Sequence, residues 1–116
     1  MKELSLSIPM EPPSGNSYVR HTRDGRHYLT SKSKDWYKAV AIIAAGNQVS
    51  GKAHEITYTV YQGFGSKGDV DNYAKTILDG LTKAGVLKSD ASVVSLHCHK
   101  LRDRERPRTE IYIKEV

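Results

Sequence analysis

The sequence predicts an α+β fold with the order β-α-β-α-β-β, two helices packed on one mixed β-sheet, and a projecting basic hairpin near the N-terminus. Three observations predict it. Four short stretches read as strands, two of them by clear apolar–polar alternation. Two longer stretches carry apolar residues at helical spacing. The two kinds interleave along the chain rather than segregate. The 116 residues, 38% of them apolar, suit one domain over residues 1–116.

Taken in order, Leu4, Leu6 and Ile8 alternate with polar residues and form a first strand, ended by Pro9, Pro12 and Pro13. Tyr18–Arg23 and Arg26–Thr30 flank Asp24-Gly25, a two-residue turn signal, because both central positions of a type I′ turn need φ > 0. This ribbon carries Arg20, His21, Arg23, Arg26 and His27 and has little to bury, so it is expected to stand off the core and to move without a ligand. A helix begins near Ser33 as N-cap, with Trp36, Val40, Ile43 and Ala44 on its buried face and Gly46 at its end. The strand Glu55–Gln62 buries Ile56, Tyr58 and Val60. A second helix spans Asp71–Ala84, with Ala74, Ile77, Leu78 and Leu81 inward and Gly85 at C′. Val93–Leu101 and Thr109–Lys114 are the last two strands.

Lys plus Arg is 18 against 13 Asp plus Glu, a formal charge of +5. That balance suits a phosphate backbone, and equally a merely soluble basic protein. Cys98 is the single cysteine, which leaves no disulfide within the chain and favours a reducing compartment. Leu4–Ile8 is too short for a leader core, and Ala39–Ala45 falls far below the roughly 20 apolar residues of a membrane span. A soluble, cytoplasmic protein with no membrane partner is expected.

On this cationic chain, carboxylates gather in one region. Asp71, Lys75 and Asp79 are each four residues apart, one column of a helix. Asp69 lies two residues before Asp71, and in extended chain such residues face the same side. The pair converges if the chain turns helical only after Asp71. Asp90 follows the helix and precedes a strand. If that strand pairs beside Glu55–Gln62, Asp90 is expected to return to the start of the second helix. Three carboxylates so gathered repel one another, and a divalent cation resolves the repulsion. Mg²⁺ takes oxygen ligands, keeps several waters and uses one or two protein carboxylates. It polarises a phosphodiester and positions water, while Lys75 offsets charge developing in the transition state. Each residue also has a structural reading: Asp71 as an N-cap, Lys75 and Asp79 as a surface pair, Asp90 as a turn residue.

The run Lys67-Gly68-Asp69-Val70-Asp71-Asn72-Tyr73-Ala74-Lys75, then Leu78-Asp79-Gly80-Leu81-Thr82-Lys83-Ala84-Gly85-Val86-Leu87, then Ser89-Asp90-Ala91-Ser92-Val93-Val94, resembles the RusA family of Holliday-junction resolvases. The stretch Pro12-Pro13-Ser14-Gly15-Asn16-Ser17-Tyr18-Val19-Arg20-His21 resembles that family's opening. These segments cover about half the chain, in order. Two positions depart from the family pattern: Gly68, where Pro or a basic residue is common, and Ser89, where a second acid is common.

The resemblance implies a homodimeric crossover junction endodeoxyribonuclease of bacteria and their prophages. Such an enzyme nicks two opposed strands of a four-way DNA junction in recombination and repair, with Mg²⁺, or Mn²⁺ in its place. It implies Asp69, Asp71 and Asp90 as the catalytic and metal-binding acids and Lys75 as the essential lysine. Expected DNA contacts are Asn16, Arg20, His21, Arg23, Arg26, Lys67, Asn72, Arg102 and Arg104. The last two belong to the period-two run Lys100, Arg102, Arg104, Arg106, Arg108, which an extended chain would present on one side.

Two rival functions stay open: a non-catalytic module that recognises branched DNA by shape, and a nuclease for another branched nucleic acid such as a fork or RNA. No nucleotide cofactor is expected. Gly63-Phe64-Gly65-Ser66-Lys67-Gly68 matches G-x-G-x-x-G, but Asp69 and Asp71 would repel a pyrophosphate. Its glycines suit close approach of a DNA strand or a tight turn. Gly46–Lys52 imitates a phosphate loop but is followed by Ala53 instead of Ser or Thr. Tyr73 spoils an EF-hand reading. His97 and His99 share one side of a strand but lack further partners for a tetrahedral zinc site.

Overall fold

The computed structural model describes residues 3–14, 19–21, 27–50 and 52–116, with backbone alone for 19–21 and 27–29. Its elements are β1 (Glu3–Ile8), β2 (Val19–His21), β3 (His27–Leu29), α1 (Ser31–Ile43), β4 (His54–Gln62), a 3₁₀ turn Val70–Tyr73 leading into α2 (Ala74–Lys83), a second 3₁₀ turn Asp90–Ser92, β5 (Val93–Arg102) and β6 (Arg108–Glu115). The expected α+β arrangement is present. The four-stranded sheet has the order β1-β6-β4-β5, and β2 pairs with β3 in a separate two-stranded sheet.

Register follows the alternation of β4. His54, Ile56, Tyr58, Val60 and Gln62 point inward and are buried. β6 lies antiparallel to β4, with Tyr58 opposite Ile111 and Ile56 opposite Ile113. β5 lies parallel on the other side, with Ile56 opposite Leu96 and Gln62 opposite Arg102. The inward face meets Trp36, Val40 and Ala44 of the first helical segment and Ile77 and Leu81 of α2 in one core. Where the helices touch, Trp36 Nε1 donates to the Thr76 carbonyl at 3.0 Å. Gly80 admits the indole there, since a Cβ at that position would sit 3.0 Å from Nε1. The opposite sheet face is open and polar, with Ser5, Ser7, Thr57, Thr59, Glu110 and Tyr112 around a shallow depression. Among the described residues no helix is long and apolar enough to cross a membrane.

Four local expectations need correction. The N-cap of α1 is Thr30, not Ser33. Thr30 is the last extended residue, and its Oγ1 accepts from Ser33 N at 3.3 Å, while Ser33 is buried in the first turn. Ile43 is 41% exposed rather than buried. A row of residues four apart rotates about 40° per step, so by the last turn the buried line has moved to Ala44. The second helical segment starts earlier and tighter than expected, as a 3₁₀ turn from Val70. In the hairpin, His21 pairs with His27, whereas an uninterrupted two-residue turn at Asp24-Gly25 would pair His21 with Tyr28. The turn itself lies outside the described residues.

Candidate active site and nucleic-acid surface

Three side chains of the sheet reach up to brace the segment 68–73. Tyr58 donates to the Val70 carbonyl at 2.6 Å. Burial, followed by its hydrogen bond with Cys98, pushes the Tyr58 hydroxyl well above the usual phenol range, so it stays a donor. Gln62 Nε2 donates to the Gly68 carbonyl and to the Tyr73 hydroxyl, both at 2.8 Å. Lys100 Nζ donates to the Gly68 carbonyl at 3.3 Å. Gly68 itself lies against the Tyr73 ring and hydroxyl so closely that a Cβ there would overlap them. The space beside Gly68 is filled by Tyr73.

This braced segment carries Asp69 and Asp71 at the start of the helical run. Asp69 is extended (φ −80°, ψ 152°), and its side chain makes no cap hydrogen bond. Its carbonyl accepts from Asn72 N at 3.1 Å. Asp71 falls in the first turn, and both residues are exposed. One turn along, Lys75 Nζ stands 3.6 Å from Asp79 Oδ2, the expected i,i+4 pair. Two exposed oxygen donors on a fixed backbone fit Mg²⁺, which takes one or two carboxylates and completes its shell with water.

Asp90 lies elsewhere in the chain. It opens the 3₁₀ turn before β5 and shares a shallow depression with Asp79, Thr82 and Lys83, along the second half of α2. The reason is strand direction. β5 does pair with β4, but in parallel, so its start lies beside the start of β4, with His54 opposite Val93. α2, ten residues and about 15 Å long, runs from the Asp69 and Asp71 end back toward the Asp90 end. Among the described residues no group of three or more His, Cys, Asp or Glu stands close enough to hold a metal ion. His97 instead pairs with Glu55 at 2.9 Å.

Of the expected DNA-contacting residues, Asn16, Arg23 and Arg26 lie outside the described residues. Arg20 and His21 lie in β2, where only the backbone is described. Lys67 is exposed and Asn72 half-exposed beside the carboxylates. Arg102 Nη1 donates to the Gly63 carbonyl at 2.6 Å, and Arg104 lies 5.5 Å from the centre of the Phe64 ring. The one-sided cation stripe does not form. β5 ends at Arg102 and β6 starts at Arg108, which stacks on Tyr61 at 3.7 Å and pairs with Asp103 and Glu110. Sequence reasoning missed the braces Tyr58 and Gln62. Their only signal is the inward parity they share with Ile56 and Val60.

An α+β domain that carries exposed carboxylates at a helix start, with Lys67, Lys75 and Lys100 on the elements around them, has a charge layout that suits a polyanionic partner. Residues 9–114 match the family model of endodeoxyribonuclease RusA. The whole chain aligns at 31% identity with 98% of the crossover junction endodeoxyribonuclease RusA of Enterobacteria phage 82. It aligns equally with that of Escherichia coli strain K12, and at 30% with that of Shigella sonnei strain Ss046 over the same share. The chain belongs to the RusA endodeoxyribonuclease family.

Proposed function

We propose that the chain is a Mg²⁺-dependent endonuclease that resolves four-way DNA junctions as a homodimer in a bacterial or phage-infected cytoplasm, with Mn²⁺ able to substitute. The match to a nuclease family over residues 9–114 carries the reading. The exposed pair Asp69 and Asp71 on a braced backbone supports its chemistry.

Asp69 and Asp71 would hold the cation, which when bound would supply Lewis-acid polarisation of the phosphodiester and a more acidic water. Lys75 approaches the same phosphate and offsets charge on its equatorial oxygens. Its ammonium stands 3.6 Å from Asp79 Oδ2, on the same face of α2. Paired, symmetric nicks need two sites related by a two-fold axis, which a C2 dimer provides.

A dimer would also give Asp90 a place. Where two copies of α2 pack across a two-fold axis perpendicular to them, they run antiparallel, so the start of one faces the end of the other. Asp69 and Asp71 of one protomer would then meet the depression of the second copy that contains Asp79 and Asp90. Each site would draw acids from both chains.

The test is cleavage of synthetic four-way junctions with Mg²⁺, with Asp71→Asn as control. Paired nicks from the wild type and none from the variant are expected. Robust paired cleavage by Asp71→Asn would reject the assigned chemistry. Tight binding without Mg²⁺-dependent cutting would mean a non-catalytic structure-selective module. Preferential cutting of forks or RNA would mean a different branched substrate.

A further inference from the structure

The glycine-rich loop after β4 has no part in the chemistry assigned above, yet it is firmly held. Arg102 Nη1 donates to the Gly63 carbonyl at 2.6 Å and to that of Ser66 at 3.4 Å. Glu11 accepts from Gly63 N at 3.2 Å and from Ser66 Oγ at 2.5 Å. Gly63 lies flush against Pro107, whose Cγ would be 2.8 Å from an added Cβ, and Gly65 takes φ +79°, which few other residues tolerate.

What this fixed loop presents is Phe64, the chain's single phenylalanine, 84% exposed. It is the most exposed large hydrophobic side chain among the described residues. Holding an aromatic ring in water forgoes the stabilisation that burial would bring. Beside it stands Arg104, its guanidinium carbon 5.5 Å from the ring centre. The turn that carries Arg104 is itself ordered, because Asp103 accepts from the N–H groups of Glu105 and Arg106 at 3.2 and 3.1 Å. A depression of about 340 Å³ lies between the two turns, lined by Phe64, Gly65, Ser66, Lys67, Arg102 and Arg104. Among the described residues its lining has three cations, one aromatic face and no carboxylate.

An open π-face beside guanidinium and ammonium groups matches one ligand chemistry, a nucleotide whose base is free to stack and whose phosphate is anionic. Bases inside a duplex have both faces covered by neighbours, so the site selects an unpaired one. Among the described residues no acid lines the depression, which disfavours a basic protein surface.

We propose that Phe64 and Arg104 form a shelf on which one unpaired DNA base stacks, with its adjoining phosphate held by Lys67 and Arg102. Lys67 is two residues from Asp69, so the shelf would hold a splayed base next to the strand to be cut. The inference rests on the junction reading and adds to it a specific base-recognition site.

Phe64→Trp tests it, because Trp36, the only natural tryptophan, is fully buried. Emission is followed on adding an intact four-way junction without Mg²⁺, and separately on adding a short oligothymidine. Quenching by both probes is expected, and Phe64→Ala should bind the junction about tenfold more weakly at an unchanged melting temperature, an effect of the size of one base stack. Junction binding in which either effect is missing overturns the shelf and leaves the junction reading intact. Quenching by oligothymidine without any junction binding keeps the shelf and overturns the junction reading. No quenching by either probe overturns the shelf.

Discussion

The amide nitrogen of Gln62 lies 2.8 Å from the hydroxyl of Tyr73, which fastens the last residue of the central strand to the turn that opens the second helical segment. The same nitrogen holds the Gly68 carbonyl. Gln62 is only 4% exposed and Tyr73 3%, so the Tyr73 hydroxyl has little water to turn to. Gln62→Ala should therefore cost about 1–3 kcal/mol in a urea melt. It should also slow junction cleavage more than it weakens junction binding, because Asp69 and Asp71 ride on the braced segment. A destabilised variant that cuts at the full rate would show that the brace is unrelated to the acids.

Gly68 and Tyr73 fill one space between them. Replacing Gly68 by Arg should overpack the turn and destabilise the chain by about 1–3 kcal/mol. Shortening the ring with Tyr73→Leu in the same chain should recover part of that loss, because the two residues are in contact and their effects are not additive. The double variant should then melt above the Gly68→Arg single variant. Strict additivity of the two losses would contradict the shared-space account.

Much of this architecture was legible in the sequence because its signals are local. The alternation of Ile56, Tyr58 and Val60 locates the central strand to within one residue. Gly85 closes α2 as expected, with φ +80°, while its own N–H and that of Val86 return to the carbonyls of Thr82 and Leu81. Thr30 and Ser33 both carry hydroxyls three residues apart, so composition alone does not choose between them as the cap. The braces from Gln62 and Tyr58 span the tertiary structure and leave no local trace beyond strand parity. The position of Asp90 was a different matter, since its logic was available. A strand, a crossing helix and a neighbouring strand make a parallel pair, so β5 must begin at the end of the sheet opposite the start of the second helical segment. Expecting Asp90 to return to that start overlooked strand direction.

Lys75 and Asp79 form a surface pair, with the lysine side chain 61% exposed. Such pairs contribute roughly 0–1 kcal/mol, so Lys75→Ala should melt close to the wild type. Its effect should fall on cleavage instead, with a loss of roughly a hundredfold or more from removing a positive group aimed at the reacting phosphate. Single-turnover cleavage and thermal melts on the same preparation check both halves. A variant that melts much lower and cuts normally would make Lys75 structural.

Acid sensitivity should concentrate at the β5–β6 turn. The Arg108 guanidinium, and after it the Arg106 N–H, hold the Asp103 carboxyl below the usual carboxylate range. The folded value is thus lower than the unfolded one. The stabilisation is present above the unfolded pKa and disappears as pH falls through the folded pKa. Asp103→Asn should melt below the wild type at neutral pH, and the gap should close in acid below the ordinary Asp range. A gap that persists unchanged into strong acid would show that the charge of Asp103 is not its source.

Whether each site takes acids from both protomers can be decided by mixing two inactive variants. In a composite site, Asp71 comes from one chain and Asp90 from the other. A heterodimer of Asp71→Asn with Asp90→Asn would then place both substitutions in one site and leave the second site intact. If each chain supplied its own three acids, every site in the mixture would carry one substitution and none would be whole. Each homodimer should be inactive in both cases; with a shared site each should also melt at or above the wild type without metal, since removing one charge relieves crowding among the acids. After co-refolding, the mixture should produce single nicks in the four-way junction but no paired resolution, because only one of its two sites can cut. Recovery of single-strand nicking alone is the signature of acids shared between chains, and complete inactivity of the mixture would return Asp90 to its own protomer.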